Sequence, residues 1–378
     1  MWLIDQTRLP AELKAVKMQS VKELIEAITA LRIRGAPALG AAGAYGIALA
    51  AQLSRSDNPF ELLHEMGLAK QMIEQARPTA INLSWGVERA LRAAAGWDTA
   101  QEIREAALLE AEQIAKEDIA INKMMGQKGA HLLEDGETVL THCNAGRLAC
   151  VGWGTALGVI RSAIEMGKEI KVYACETRPL HQGSRLTAWE LMQEDVDVTL
   201  ICDSASGSLM RQGKIDKAIV GADRITRDVV FNKIGTYNHA VLARAHSVPF
   251  YVAAPLSTFD LKNAEADITI EERRPDELCF MGKVQLAPAK AKIYNPAFDA
   301  TPLDLITALI TEKGVFKPPL MPLICFLNFF ILISFNERVI FINIKLHCLT
   351  YDQPEILHTQ KLYKDISSLI FFGSIGCS

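Results

Sequence analysis

Residues 139–158 read VLTHCNAGRLACVGWGTALG, and the reading of this stretch decides the fold. An apolar, strand-like run ends at Cys143. Small residues and glycines then lead into a helix-like pattern. A strand that stops at a reactive residue and hands over to a helix is the front half of a crossover unit, so the fold depends on whether the unit repeats. After Glu134 it does. ETVLTHC, EIKVYAC, DVTLIC, KAIVGAD, PFYVAA and AKIYN read as strands. GTALGVIRSAIEMGK, SRLTAWELMQE, ASGSLMRQGKI and GTYNHAVLARAHS read as the helices between them. Such alternation predicts an α/β, Rossmann-like parallel sheet with helices on both faces.

Upstream, from Ser20 to Ala130, the chain is alanine-rich with apolar residues at helical spacing. Two glycine/proline interruptions, RIRGAPALGAAGAYG and EQARPTAINLSWG, read as loops. The expected organisation is a small, mainly helical N-terminal domain (1–118), a Rossmann-like catalytic domain (119–317) and a tail (318–378).

In open parallel sheets the ligand sits outside the carboxyl ends of the strands. Those ends here carry Cys143-Asn144, Glu176-Thr177-Arg178, Asp203-Ser204 and Asp223-Arg224, which together describe a polar crevice. Asp203-Ser204 reads equally well as a helix cap. Asn232, Lys233, Gly235 and Thr236 open the last crossover helix, where free N–H groups, a positive dipole end and a lysine form an anion seat. Arg34 beside Gly35 adds a guanidinium where the backbone comes close to a ligand. Jointly these point to a phosphorylated small molecule.

Other chemistries fit poorly. Gly152, Gly154 and Gly158 are spaced G-x-G-x-x-x-G rather than as a dinucleotide fingerprint, and read as helix–sheet packing. His142 adjoins Cys143, but neighbours on a strand face opposite ways, so it is a poor base for that thiol. The eight cysteines include no C-x-x-C pair, and the histidines show no ligand spacing. Unpaired thiols, no metal and a cytoplasmic location are expected. The net charge of −4 and the lack of a basic block argue against nucleic acid. The N-terminus has no apolar signal segment.

RGAPALGAAGAYG, ARPTAINL, THCNAG, GWGTALGVIR, ETRPLHQGSRLTAWEL, GADRIT, NKIGTY, PFYVAAPLSTFD, IEERRPDEL and NPAFDATPLDLITALITEKG follow one another in order. With this set the chain closely resembles the methylthioribose-1-phosphate isomerase family, aldose–ketose isomerases of methionine salvage, from about residue 4 to residue 317. The resemblance implies a catalytic acid/base pair of Cys143 and Asp223, with Asp223 as proton donor. It implies substrate contacts from Arg34, Gly35, Ala36, Arg77, Gln182, Asn232 and Lys233. It further implies a homodimer with no redox cofactor. Ribose-1,5-bisphosphate isomerase and the regulatory subunits of translation initiation factor 2B share the scaffold, the latter as a non-catalytic assembly module. RGAPA and QGSRLTAWEL favour the methylthioribose enzyme. Between Asp223 and Asn232 the chain reads DRITRDVVFN, without the family's asparagine–glycine turn.

After TEKGVFKPP the resemblance stops. The remaining segment has no alanine and holds half of the chain's 14 phenylalanines, as translated AT-rich sequence would. A frameshift or read-through is the expected origin. A membrane tail anchor is the rival, but the apolar core LMPLICFLNFFILISF is shorter than the roughly 20 residues of a span.

Overall fold

The structure, a computed structural model, describes residues 1–318 and the backbone of one further antiparallel pair, Ile333–Phe335 with Arg338–Ile340. The tail-anchor reading therefore lies outside the described residues.

The chain opens with a short antiparallel ribbon, β1 (Trp2–Ile4) and β2 (Ala15–Lys17). Helices α1 (Val21–Thr29), α2 (Ala36–Leu53), α3 (Pro59–Ala76), α4 (Ile81–Ala94) and α5 (Ala100–Ala130) follow. Their starts are written in the sequence. Ser20 and Asn58 accept first-turn N–H groups, and Thr99 with Glu102 forms a capping box.

Both interruptions prove much shorter than expected. The first loop ends at Gly35, and APALGAAGAYG is the first half of α2. Pro37 sits in the opening turn, where its missing N–H costs nothing. The helix glycines are contact surfaces rather than breakers. A Cβ on Gly86 of α4 would lie 1.9 Å from the Gly40 carbonyl oxygen of α2, so only glycine lets these helices approach this closely. Likewise INLSWG belongs to α4, leaving residues 77–80 as the loop. By length and composition α2 would pass for a membrane span, yet it is mostly buried in the helical layer.

Beyond α5 come β3 (Thr138–Thr141), α6 (Ala156–Glu165), β4 (Lys171–Cys175) and a π-helical turn, Gly183–Thr187, entering α7 (Ala188–Met192). Then follow β5 (Asp197–Ile201), α8 (Ser206–Arg211), β6 (Lys217–Val220), β7 (Arg224–Thr226), β8 (Val229–Lys233), α9 (Thr236–Ala245) and β9 (Phe250–Ala253). Short strands complete the described chain: β10 (Phe259–Asp260), β11 (Phe280–Met281), β12 (Val284–Gln285), β13 (Phe298–Pro302), β14 (Ala308–Thr311) and β15 (Gly314–Phe316).

Seven strands form the main sheet in the order β15-β14-β9-β6-β3-β4-β5, parallel except for β15. AKIYN is not among them. Tyr294 is 76% exposed, and the short run has no sheet neighbour to bury against. The sixth parallel strand is instead β14, which is buried throughout. A second sheet, β10-β7-β8-β13, is mixed and was not read from the sequence.

One core is built by α1 to α5 as far as Ile114, and a second lies on the α6 face of the sheet and takes in Met125 and Ala130 of the same α5. A third fills the opposite face around Phe250 and Val252. Strand order carries the functional consequence. From β3 the chain moves outward to β4 and β5, then returns to place β6 on β3's other side. The β3/β6 boundary is thus the topological switch point, where a crevice opens at the carboxyl ends.

Candidate active site

Cys143 follows β3 and Asp223 follows β6, so the two strands flanking the switch point deliver them to one crevice. The cavity there measures about 740 Å3 out to its open mouth. The catalytic pair and the substrate contacts that the resemblance implies all line it, namely Cys143, Asp223, Arg34, Gly35, Ala36, Arg77, Gln182, Asn232 and Lys233, whereas Glu176, Thr177, Arg178, Asp203, Ser204, Gly235 and Thr236 do not. Helix α2 supplies its N-terminus, the α3–α4 loop supplies Arg77, and β8 supplies Asn232 and Lys233.

Cys143 sits at φ 62°, in the left-handed region that non-glycine residues enter at a cost of about 1–3 kcal/mol. Two threonines hold it there. Its N–H donates to Thr177 Oγ1 at 2.9 Å, and its carbonyl accepts from Thr187 Oγ1 at 2.6 Å. Thr187 belongs to the π-helical turn, a local irregularity that frequently marks a functional segment. Burial pushes the Cys143 thiol up, against the pull of Lys233 and Arg34, so the protonated thiol is the resting form.

Asp223 is fixed by its own N–H, which donates to the Phe231 carbonyl at 2.9 Å across the β7–β8 hairpin. The hairpin closes without an asparagine–glycine turn, because Thr226 Oγ1 bonds both Asp228 and the Val229 N–H. Burial raises the Asp223 carboxyl above its ordinary range, opposed by Lys233, Arg77 and Arg34. A carboxyl raised in this way holds its proton to higher pH than an ordinary one, which is the direction a proton donor needs.

The surrounding cations are held but not used up. Arg34 donates to the Asn144 carbonyl at 2.9 Å and to its side-chain oxygen, yet its Nε is buried with no partner among the described residues. Arg77 donates to Glu271 at 2.9 Å and also keeps a buried, unpartnered Nε. Gln182 Oε1 is in the same condition. Lys233 donates to the Ala297 carbonyl at 2.9 Å over the ring of Phe298, and burial lowers its pKa. Buried polar groups left unpaired are costly, and here two are donors, Arg34 Nε and Arg77 Nε, and one is an acceptor, Gln182 Oε1, a set that an anion and a hydroxyl could together complete.

The anion seat differs from expectation at the helix. Gly235 caps α9 at φ 102°, but the Gly235 and Tyr237 N–H groups donate to the Asp299 carboxylate at 2.7 and 3.2 Å. The Gly235 and Tyr237 N–H groups are therefore taken by Asp299, and the cationic groups that line the cavity are the side chains of Arg34, Arg77, Lys233 and Arg273. Asp203 also differs, since its oxygens accept from the Thr177 and Arg178 N–H groups at 2.8 and 2.7 Å, tying one loop to another.

Glu190 escaped the sequence reading altogether. This buried carboxylate accepts from Asn144 Nδ2 (2.9 Å), the Leu148 N–H (3.1 Å), the Arg147 N–H (2.7 Å) and Arg161 (3.0 Å). Through Asn144 it positions Arg34. Arg273, within the quoted IEERRPDEL, also lines the cavity and donates to Glu271 at 2.9 Å.

Behind Cys143, donor atoms of His142, Cys175, Asp203 and His239 gather within 4.8 Å of one another, a grouping that no spacing in the chain betrays. The imidazoles are engaged already. His142 Nε2 is 2.9 Å from the Ile234 carbonyl, His142 Nδ1 is 3.2 Å from His239 Nε2, and His239 Nδ1 is 2.9 Å from Ser206 Oγ. Burial lowers His142 to about 4 and His239 to about 3, so both are neutral at neutral pH. One set of protons satisfies the row, donating from Ser206 to His239 to His142 to Ile234. His142 also lines the cavity, so it does not face away from Cys143 as expected, but both its ring nitrogens are engaged and it is no base for that thiol.

Comparison with known proteins places this arrangement. Methylthioribose-1-phosphate isomerase of Carboxydothermus hydrogenoformans is 48% identical over 323 residues, covering 84% of this chain and 94% of the relative. The crystal structure of 5-methylthioribose 1-phosphate isomerase from Pyrococcus horikoshii superposes with a TM-score of 0.80 at 42% identity, covering 86% of this chain and 92% of that one. A structure described as translation initiation factor eIF-2B, subunit delta, from A. fulgidus gives 0.77 at 58% identity, covering 84% and 94%. Residues 32–318 match the initiation factor 2 subunit family, and the chain belongs to that family.

Proposed function

We propose that this protein is an aldose–ketose isomerase that converts 5-methylthioribose 1-phosphate to 5-methylthioribulose 1-phosphate in methionine salvage. One observation carries the reading. The thiol of Cys143 and the carboxyl of Asp223 share a switch-point cavity with Arg34 and Arg77, each of which keeps a buried, unpartnered Nε. The relatives named for this activity support it.

The phosphate on the anomeric oxygen prevents ordinary opening to a free aldehyde, so the ring C1–O bond must break with help. In our reading Asp223 gives its proton to the ring oxygen as that bond breaks. The C2 hydrogen moves to C1, the C2 hydroxyl gives up its proton to become the ketone, and Asp223 is reprotonated. Atoms and electrons balance within the sugar. Cys143, a protonated thiol across the substrate, passes its own proton on as it takes up that of the C2 hydroxyl, which returns one proton to Asp223, and Arg34, Arg77 and Lys233 hold the phosphate.

Beside the site an adjoining lobe is lined by Leu39, Ala80, Ile81, Phe231, Ile268 and Ile270 together with Arg77, Asp223, Arg224 and Glu271. Its apolar side chains offer a seat for a methylthio group, and its two arginines are each paired with a carboxylate, Arg77 with Glu271 and Arg224 with Asp260. Homodimeric assembly in the cytoplasm completes the proposal. Offering both sugars to the purified protein tests it: turnover of the methylthio sugar with little of the bisphosphate is expected. Preferential turnover of the bisphosphate, or binding without turnover, would overturn it, the latter favouring an assembly role like that named for the A. fulgidus neighbour.

A further inference from the structure

We infer that Glu271 is a positioning residue that holds Arg77 and Arg273 together at the cavity as a two-guanidinium clamp for the phosphate. The proposal rests on the phosphate-bearing substrate proposed above.

The backbone presents Glu271 rigidly. Its carbonyl accepts from the Ala297 N–H at 2.8 Å, and the Arg273 N–H donates to the Asn295 carbonyl at 2.8 Å, so residues 271–273 are pinned to 295–297. The carboxylate then divides its oxygens. Oε2 accepts from Arg77 Nη2 and Oε1 from Arg273 Nη1, each at 2.9 Å. Both guanidiniums line the cavity, and Arg77 reaches it from a loop 194 residues away in sequence. Arg273 is also gripped by Glu277, Nε to Oε1 at 3.0 Å and Nη2 to Oε1 at 2.5 Å, so it keeps a carboxylate without Glu271 and the residue freed is Arg77. With Glu271 in place, Arg77 is held through Nη2 while its Nε stays buried and free. A guanidinium anchored at one atom and open at another is preorganised for an anion, with little ordering left to do on binding.

The carboxylate also has a second effect. The charges acting on Asp223 are Lys233, Arg77 and Arg34, which favour its ionised form, and Glu271, which opposes ionisation. Charge and anchoring are separated by two substitutions. Glu271→Gln removes the charge and keeps an acceptor for one arginine, whereas Glu271→Ala removes both.

The experiment is titration calorimetry of the full chain with inorganic phosphate, followed by pH profiles of kcat/KM. Glu271→Ala is expected to weaken phosphate binding roughly tenfold or more and to raise KM more than it lowers kcat. Glu271→Gln is expected to bind phosphate within a few-fold of wild type. Its alkaline limb, where Asp223 loses its proton, should move to lower pH. Wild-type phosphate affinity in Glu271→Ala, with its circular dichroism unchanged, would overturn the inference. So would an unmoved alkaline limb in Glu271→Gln. Should Glu271→Ala not fold, the Gln variant still decides. Phosphate binding by wild type without turnover of the sugar would sink the substrate assignment while leaving the clamp standing.

Discussion

Replacing Glu190 with glutamine changes one atom and should be felt both in stability and at the phosphate. Four donors converge on the carboxylate: Asn144 and Leu148 on Oε1, Arg147 and Arg161 on Oε2. Whichever way the carboxamide is turned, its NH2 faces two donors, so two hydrogen bonds are lost. With the NH2 in the place of Oε2, Arg161, itself buried, keeps its bonds to Glu194 at 2.6 Å and to the Trp153 carbonyl. At roughly 1.5–3 kcal/mol for each bond to a charged acceptor, two bonds come to about 3–6 kcal/mol. With an unfolding entropy of roughly 2.1 cal/mol/K per residue, that corresponds to a fall in Tm of about 4–8 °C in a chain of this length. With the NH2 in the place of Oε1, Asn144 instead loses one of its two fixed acceptors, so Arg34 is held less firmly and KM should rise by about tenfold. Thermal melts at pH 7 and steady-state kinetics measure both effects. A Tm within about 2 °C of wild type together with an unchanged KM would refute the chain of support from Glu190 through Asn144 to Arg34.

Further outcomes follow from other contacts. Gly86→Ala should lower stability by about 1–3 kcal/mol, because its Cβ would meet the Gly40 backbone at 1.9 Å; chemical denaturation with unchanged midpoint would contradict the α2–α4 packing. Buried neutral histidines stabilise above the ordinary histidine pKa and cease to as pH falls toward their lowered values, about 4 for His142 and about 3 for His239. His239→Gln should therefore flatten the fall in stability between pH 6.5 and 4, measured as the difference from wild type. Asp118 and Asp299, each raised to about 6, act in the opposite direction in both proteins and cancel in that difference. Activity that needs protonated Asp223 should disappear as pH rises through its raised pKa, and a kcat/KM that keeps rising with pH would remove its role as donor.

Most of the fold is local in origin, which is why so much was legible. Period-two runs such as VLT and KVYAC need only their own pattern to be recognised, and the caps at Ser20, Asn58 and Thr99 are local hydrogen bonds. The errors arose where distant partners override local propensity. APALGAAGAYG looks like a loop until α4 arrives to fill its glycine surface. AKIYN has strand composition but no neighbour, whereas ALIT gains β9 and β15. At the site, Cys143 and Asp223 were legible as strand ends on a sheet of known type. Glu190 and Glu271 were not, since nothing in the chain links them to the arginines they serve. Asp299 is the sharpest case. It lies 64 residues beyond Gly235, and by capping α9 it removes a helix-end anion seat that the motif alone suggests.

The central claim is best tested by supplying purified full-length protein with 5-methylthioribose 1-phosphate labelled with 13C at C2 and following that carbon by NMR. The account predicts that the C2 signal moves from the alcohol to the ketone region with wild type, and that Cys143→Ser and Asp223→Asn slow this by roughly a hundredfold or more. A C2 signal left unchanged by wild type, or converted equally fast by both variants, would contradict it.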